Sequence, residues 1–250
     1  MKKMGLQLWT VKEAAQEDFL GTLRRIAEMG YQGVEFAGFF NTPALVLKNV
    51  MEETGLLAAG SHTGLEQLEA NIEEIFQYNK TIGNDLIICP WLPEERRGTE
   101  ADYVELAALL NSIGQKCHEQ GFTFAYHNHD FEFQQFGGTT GYEILLTHTD
   151  PKWVKFELDC YWVSYSGLNT LELLSKYPDR FCSLHLKDMK IENGEKRSTE
   201  IGTGQLEIEH LLKSVNLPAI GWFIVEQEQF DKDSLESCKI SIDYIKSLSI

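Results

Sequence analysis

The chain is short of positive charge: 22 Lys and Arg stand against 38 Asp and Glu, a formal net charge of −16. Nucleic-acid binding rests on cations that neutralise phosphates, and no Lys/Arg-rich run is present, so the balance argues against a nucleic-acid partner and leaves solubility as the plain reading of the acidity. No stretch approaches the roughly 20 continuous apolar residues of a membrane-spanning helix, so no membrane association is expected. The opening MKKMGLQLWTVKE has a basic start, but Gln7 breaks its apolar stretch too soon for a secretory segment, and it reads as a first strand. The five cysteines (Cys89, Cys117, Cys160, Cys182 and Cys238) are odd in number and include no CxxC pair, which suits reduced thiols in a cytoplasmic protein. Also missing is a Gly-x-Gly turn after the first strand-like run, where GLQLW is followed by TVKEAAQED; this counts against a dinucleotide-binding open sheet.

What the chain does contain is alternation. Strand-like runs read at 5–9, 33–37, 56–61, 85–90, 122–127, 154–159, 181–186 and 222–227, and amphipathic helical patterns at 18–30, 42–55, 65–83, 101–121, 140–149, 169–178, 207–216 and 233–248. Gly30, Gly55, Gly83 and Gly121 stand where helices would end. Strict alternation implies a parallel sheet covered by helices, and eight repeats is the number that closes a (β/α)8 TIM barrel. A doubly wound open sheet is the main rival. With 250 residues, 43% of them apolar, and no Pro/Gly/Ser-rich linker, residues 1–250 are expected to form one domain.

In a barrel the strand ends share one mouth, and four runs carry acids and imidazoles there: FAYHNHDFEF (124–133), VKFELDCYW (154–162), CSLHLKD (182–188) and WFIVEQEQF (222–230). The two-residue period puts His127 and His129 on one face of their strand, Glu157 and Asp159 on one face of theirs, His185 with Lys187, and Glu226 with Glu228. Asp130 and Glu132 follow the HxH pair, and Glu132 has the reach to fold back over the mouth. Buried acids are costly unless paired or metal-bound, so these positions call for a cation or a basic partner. A mixed oxygen and nitrogen set of this kind suits Mn²⁺, Co²⁺, Mg²⁺ or Zn²⁺. Such a cation polarises the carbonyl of a hydroxy-ketone and stabilises the enediolate left when the neighbouring carbon loses a proton.

Glu132, Glu226 and His129 are the candidates for the proton transfer, and Lys187 for holding an oxyanion or hydroxyl. With His62, just beyond the third strand run, the residues His127, Glu157, Trp162 and Lys187 are expected to bind a small carbohydrate, and Trp9, Trp91 and Trp162 offer apolar faces to a sugar ring. The plainer alternatives are core histidines, loop acids in solvent and aromatic packing. GTGQ (202–205) offers backbone N–H groups to a phosphate or is an ordinary turn.

The series YHNHDFEF, ELDCYWVSYSG, SLHLKDM, GTGQLEIE and VEQEQF, with GLQLWT and GVEFAG before it, resembles the sugar phosphate isomerase/epimerase family, the xylose isomerase-like barrels, over essentially the whole chain. The resemblance implies a divalent metal held by acid, acid, histidine and acid from strands five to eight. It implies isomerisation or epimerisation of sugars, or dehydration of inosose or of shikimate-pathway ketoacids. By motif, Asp159 in LDCYW, His185 in LHLKD and Glu226 in IVEQE correspond to the ligands of strands six, seven and eight. Strand five departs, because many relatives carry Glu at or near the position of His127. The chain resembles the branch written YHNH, in which Glu132 is expected to bind the metal while His127 and His129 line the pocket; direct ligation by His127 is the alternative.

The expected function is therefore a cytoplasmic, divalent-metal-dependent isomerase or epimerase of a small sugar, keto-sugar or cyclitol. A dehydratase on the same scaffold and a non-catalytic carbohydrate-binding protein are the alternatives. A likeness to endonuclease IV is weakened by the acidic charge. The apolar helix faces suit either a homo-oligomer or the barrel alone.

Overall fold

Eight short strands pair in parallel and close into a ring: β1 (Met4–Gln7), β2 (Gly33–Ala37), β3 (Leu57–His62), β4 (Leu86–Cys89), β5 (Thr123–His127), β6 (Lys155–Asp159), β7 (Phe181–Leu186) and β8 (Trp222–Val225). Each pairs with the next in the chain, and β8 pairs with β1. This computed structural model describes residues 2–216 and 218–248. The architecture is a (β/α)8 TIM barrel with its helices packed outside.

Alternation along the strands explains the two cores. Outward residues such as Leu6, Val34, Phe36, Phe124, Tyr126, Phe156, Leu158, Leu184 and Val225 join the helices in one large apolar cluster. Leu86, Ile88 and Ala125 form a separate small cluster, with Cys182 against it. Gly5 and Gly33 make room within the ring: a Cβ on Gly5 would lie 2.7 Å from Ile224 Cδ1, and one on Gly33 2.6 Å from the Trp222 ring.

The helices start and stop where the sequence provides partners. Asp18, Thr99, Thr140, Asn169 and Asp233 cap first turns through their side chains, and Gly30, Gly55 and Gly83 end helices in the left-handed conformation. Several expected boundaries move. Leu8–Val11 is a 3-10 turn rather than strand, because the Gln7 side chain accepts the Trp9 amide and turns the chain at the mouth. The helix expected over 65–83 breaks at Asn71 into Leu65–Ala70 and Ile72–Ile82.

Several elements had not been anticipated, among them the helix Lys12–Glu17 and a short antiparallel pair, Gln135–Phe136 with Thr139–Thr140. A helix, Cys160–Tyr165, follows β6 directly, capped by Asp159. A hairpin, Asp188–Glu192 with Glu195–Thr199, turns at Asn193 and Gly194, both at positive φ. Among the described residues no helix is long and apolar enough to cross a membrane.

Candidate active site

Register brings the chemistry-bearing residues side by side. Gln7 pairs across with Glu35, Ala37 with His62, His127 with Glu157, and Asp159 with His185. Their inward side chains meet at the carboxyl ends of the strands, below a cavity of about 690 Å³. Its wall includes Trp9, Trp91, His62, His127, His129, Glu226 and Glu228, together with Gly38, Pro90 and Gln67. Trp9 and Trp91 are half exposed, at 49% and 48%.

Two groups of donors lie beneath this cavity and share His185. In the first, one ligand atom each from Asp159, His185 and Glu226 falls within 4.8 Å of the others. His185 Nδ1 is 3.2 Å from Glu226 Oε2, and the Lys187 ammonium stands 2.8 Å from Glu226 Oε2, 3.3 Å from Asp159 Oδ2 and 2.5 Å from Glu228 Oε1. In the second, His62, His127 and His185 converge on Glu157, whose Oε2 lies 3.0, 3.1 and 3.0 Å from His62 Nε2, His127 Nδ1 and His185 Nε2. Ser183 donates to the other oxygen of Glu157 at 2.6 Å. Glu35 Oε1 accepts from Gln7 at 2.6 Å and lies 2.8 Å from His185 Nε2 and 3.0 Å from His62 Nε2.

This crowding sets the charges. Burial opposes ionisation of Glu157, yet the charge and hydrogen bonds of His185 and the bonds from His127 and His62 hold its carboxyl well below the usual range. Burial works against charge on Lys187 too, and the carboxylates of Asp159, Glu226 and Glu228 raise it well above an ordinary lysine. Glu226 is held low, against burial, by Lys187 and His185. Asp159 is pushed up to about 6 by burial, with Lys187 and His185 opposing. His127 is driven down to about 3 by burial and the charge of His185, and His129 to about 2 by burial first, so both imidazoles are neutral at ordinary pH.

The residues fit a divalent cation. Asp159 Oδ2 is buried and accepts no hydrogen bond, although Oδ1 accepts from the amides of Tyr161 and Trp162. Two carboxylates and an imidazole around that oxygen form the mixed donor set that such ions take.

The structure brings Asp159, His185, Glu226, Lys187, His127, His129 and His62 to this one mouth. It separates Glu132 from them. The strand ends at His127, the chain makes a 3-10 turn over Phe131–Phe133, and the Glu132 carboxylate turns back to the outward side of β5. There Tyr126 donates to it at 2.5 Å and the His129 amide at 2.8 Å, in place of the cation expected from sequence.

Three expected substrate contacts lie outside the cavity wall, and one of them is Lys187, fully buried against Asp159, Glu226 and Glu228. Glu157 is fully buried and saturated by its neighbours, and it takes no part in the cavity wall. Trp162 lies behind the wall, its ring 5.5 Å from His129 and with the Lys187 ammonium 5.1 Å from its centre. The backbone N–H groups of the GTGQ segment are occupied internally: Gly202 and Gly204, with Leu206 just beyond, donate to Asp188 at 2.9, 3.0 and 3.0 Å, and Thr203 and Gln205 donate to the carbonyls of Glu200 and Met189. Sequence reasoning missed Glu35, Gln7 and Ser183. Glu35 carried a readable signal, since it is the one acid inside the apolar run GVEFA.

A closed ring of eight parallel strands with helices outside it, and acids and imidazoles gathered at the carboxyl ends of the strands, defines the TIM-barrel class. Residues 23–248 match the xylose isomerase-like TIM barrel, and the chain belongs to that family. An inosose dehydratase of Mesomycoplasma hyopneumoniae (strain 7448) is 24% identical over 265 residues, covering 90% of this chain and 87% of that protein. One from Bacillus anthracis is 26% identical over 255 residues, covering 86% and 84%. A sugar phosphate isomerase/epimerase from Parabacteroides distasonis ATCC 8503 superposes with a TM-score of 0.85 at 24% identity, covering 100% of this chain and 99% of that one. The IolI protein, solved with a zinc atom, superposes with a TM-score of 0.76 at 14% identity, covering 99% and 98%.

Proposed function

We propose that this protein is a divalent-metal-dependent isomerase or epimerase of a small sugar, keto-sugar or cyclitol, working through an enediolate. The observation that carries the reading is the convergence of Asp159, His185 and Glu226 within 4.8 Å of one another beneath an aromatic-walled cavity. The zinc of the IolI protein supports it. A cation held by these residues supplies a Lewis acid that polarises the substrate carbonyl and stabilises negative charge on its oxygen.

The chain's own groups do the rest. Trp9 and Trp91 flank the cavity and cover the apolar face of a ring. His129, neutral and with its Nδ1 unpartnered, is a hydrogen-bond partner for a substrate hydroxyl. Glu228 is the acid of the cavity wall outside the cation group, so it is the group we assign to take the proton, with Lys187 at 2.5 Å holding one to return. Glu226 serves the cation group. The acidic charge supports a small-molecule substrate over nucleic acid. The five free cysteines are in keeping with a cytoplasmic location, which is part of the proposal.

A second reading, dehydration, is favoured by the names of the inosose dehydratase relatives and needs only that a β-hydroxyl leave the same intermediate. Incubating Mn²⁺-loaded protein with keto-sugars and inososes in D₂O separates the two. Deuterium incorporation without loss of mass is the result expected for isomerisation or epimerisation, loss of water supports the dehydratase, and neither outcome with any substrate rejects both.

A further inference from the structure

β8 ends at Val225, and residues 226–230 continue in no regular element, although they carry both Glu226 and the wall acid Glu228. Backbone N–H groups that leave a ladder need other partners. The Glu226 amide still donates to the Leu186 carbonyl of β7 at 3.1 Å, and the Gln227 amide donates to Thr10 Oγ1 at 3.2 Å. The next two belong to one serine. Glu228 and Gln229 donate their amides to Ser198 Oγ at 2.9 and 3.0 Å, and the same hydroxyl donates to Gln229 Oε1 at 2.7 Å. A hydroxyl offers one hydrogen and two lone pairs, so its whole capacity goes to this segment. The Ser198 amide adds a fourth bond, to Gln229 Oε1 at 2.7 Å.

Ser198 is itself held in place. It is 2% exposed and sits opposite Met189 in the hairpin that follows β7. Asp188 fixes the base of that hairpin, its carboxylate accepting the amides of Met189, Gly202, Gly204 and Leu206 at 2.8, 2.9, 3.0 and 3.0 Å. A Cβ on Gly204 would come within 2.3 Å of Asp188 Oδ1, so the loop closes there only because position 204 has no side chain. Beyond Gln229, Asp231 pairs with Lys190 and Arg197 of the same hairpin. We infer that Ser198 is a positioning residue: by holding the backbone of Glu228 and Gln229 it aims the Glu228 carboxylate into the cavity beside Lys187. The hairpin thereby serves the active site although none of its own side chains lines the cavity. This inference rests on the reading above in which Glu228 takes the proton, and it adds the group that places that acid. Misplacing a reacting group by roughly 1 Å costs on the order of 100-fold in rate.

Two measurements on the full chain test this. Amide hydrogen exchange, followed by NMR on the Zn²⁺-loaded protein, reads the clamp without any substrate. In Ser198→Ala the Glu228 and Gln229 amides should exchange at least about tenfold faster than in the wild type, while those of Glu226 and Gln227, bonded elsewhere, stay within about threefold. Steady-state kinetics of the Mn²⁺-loaded protein on the best substrate from the D₂O panel read the consequence. Ser198→Ala should lower kcat about 10- to 100-fold with KM and Mn²⁺ affinity within about threefold, and Ser198→Thr, which keeps the hydroxyl, should recover most of the rate. If Ser198 acts through Glu228, adding Ser198→Ala to Glu228→Gln should cost less than about threefold more. Unchanged exchange at Glu228 and Gln229, a loss confined to KM, or an equal fall in kcat with and without Glu228→Gln overturns the inference. Should circular dichroism show Ser198→Ala unfolded, Gln229→Met removes the acceptor of two of the four bonds and carries the same expectations. Wild-type turnover by Glu228→Gln, or no turnover by the wild type with any substrate, removes the functional reading and the inference with it. An active wild type that depends on Glu228 but not on Ser198 removes the inference alone.

Discussion

The Lys187 ammonium lies 2.8 Å from Glu226 Oε2, and the same nitrogen is shared with Asp159 and Glu228. One buried cation therefore balances three acids at the spot where the donor atoms for a metal converge. Removing one partner of a buried ion pair leaves an uncompensated charge and costs about 3–5 kcal/mol. Lys187→Met should lower the stability of the metal-free protein by an amount of that order, and Mn²⁺ should raise the unfolding midpoint more in the variant than in the wild type. Urea unfolding with and without Mn²⁺ checks both. Equal stability of variant and wild type would show that the acids are not charged together.

Glu132 offers a separate test, because burial lifts its carboxyl from 4.5 to about 7 against the opposing bonds from Tyr126 and the His129 amide. An acid whose pKa rises on folding binds its proton earlier in the folded state. Its contribution to stability is thus full below the unfolded value and is lost as pH rises from about 4.5 to about 7. A difference of that size corresponds to roughly 3 kcal/mol. Glu132→Gln should flatten the pH dependence of unfolding across this window and leave Mn²⁺ affinity within about threefold of wild type. A tenfold loss of Mn²⁺ affinity would instead make Glu132 a ligand.

The contrast between Glu132 and Asp159 shows what was legible in the sequence. Asp159, His185 and Glu226 sit on or immediately after strands whose two-residue period can be counted, so their convergence follows once the strands close into a ring. Glu132 lies five residues past His127, beyond the end of β5, where the period no longer applies and the local turn decides direction. Trp9 is similar: its place in a turn depends on the bond its amide donates to the Gln7 side chain, which no periodicity encodes. The partners of Glu157 were out of reach for another reason, since His62 and Ser183 come from different strands and meet only through the closed register. The hairpin at Asn193–Gly194, by contrast, carried a readable turn signal.

The aromatic wall predicts a split between kinetic constants. Trp91 is half exposed, lines the cavity and is not one of the cation-group donors, so Trp91→Ala should raise KM while leaving kcat largely intact. An aromatic face contributes about 0.5–1.5 kcal/mol beyond the area it covers, which corresponds to a rise in KM of about twofold to roughly tenfold. Steady-state kinetics on the best substrate from the D₂O panel supply the numbers. A fall in kcat with KM unchanged would place Trp91 in the chemistry instead of in binding.

The claim on which the rest depends is that a single divalent ion sits among Asp159, His185 and Glu226. A crystal soaked in Mn²⁺ and measured at a wavelength with strong anomalous scattering from the metal tests it directly. The expected result is one anomalous peak about 2.0–2.3 Å from a carboxylate oxygen of Asp159, from His185 Nδ1 and from a carboxylate oxygen of Glu226. A peak elsewhere in the barrel, or none at saturating Mn²⁺ with the three side chains arranged as described, would contradict the account.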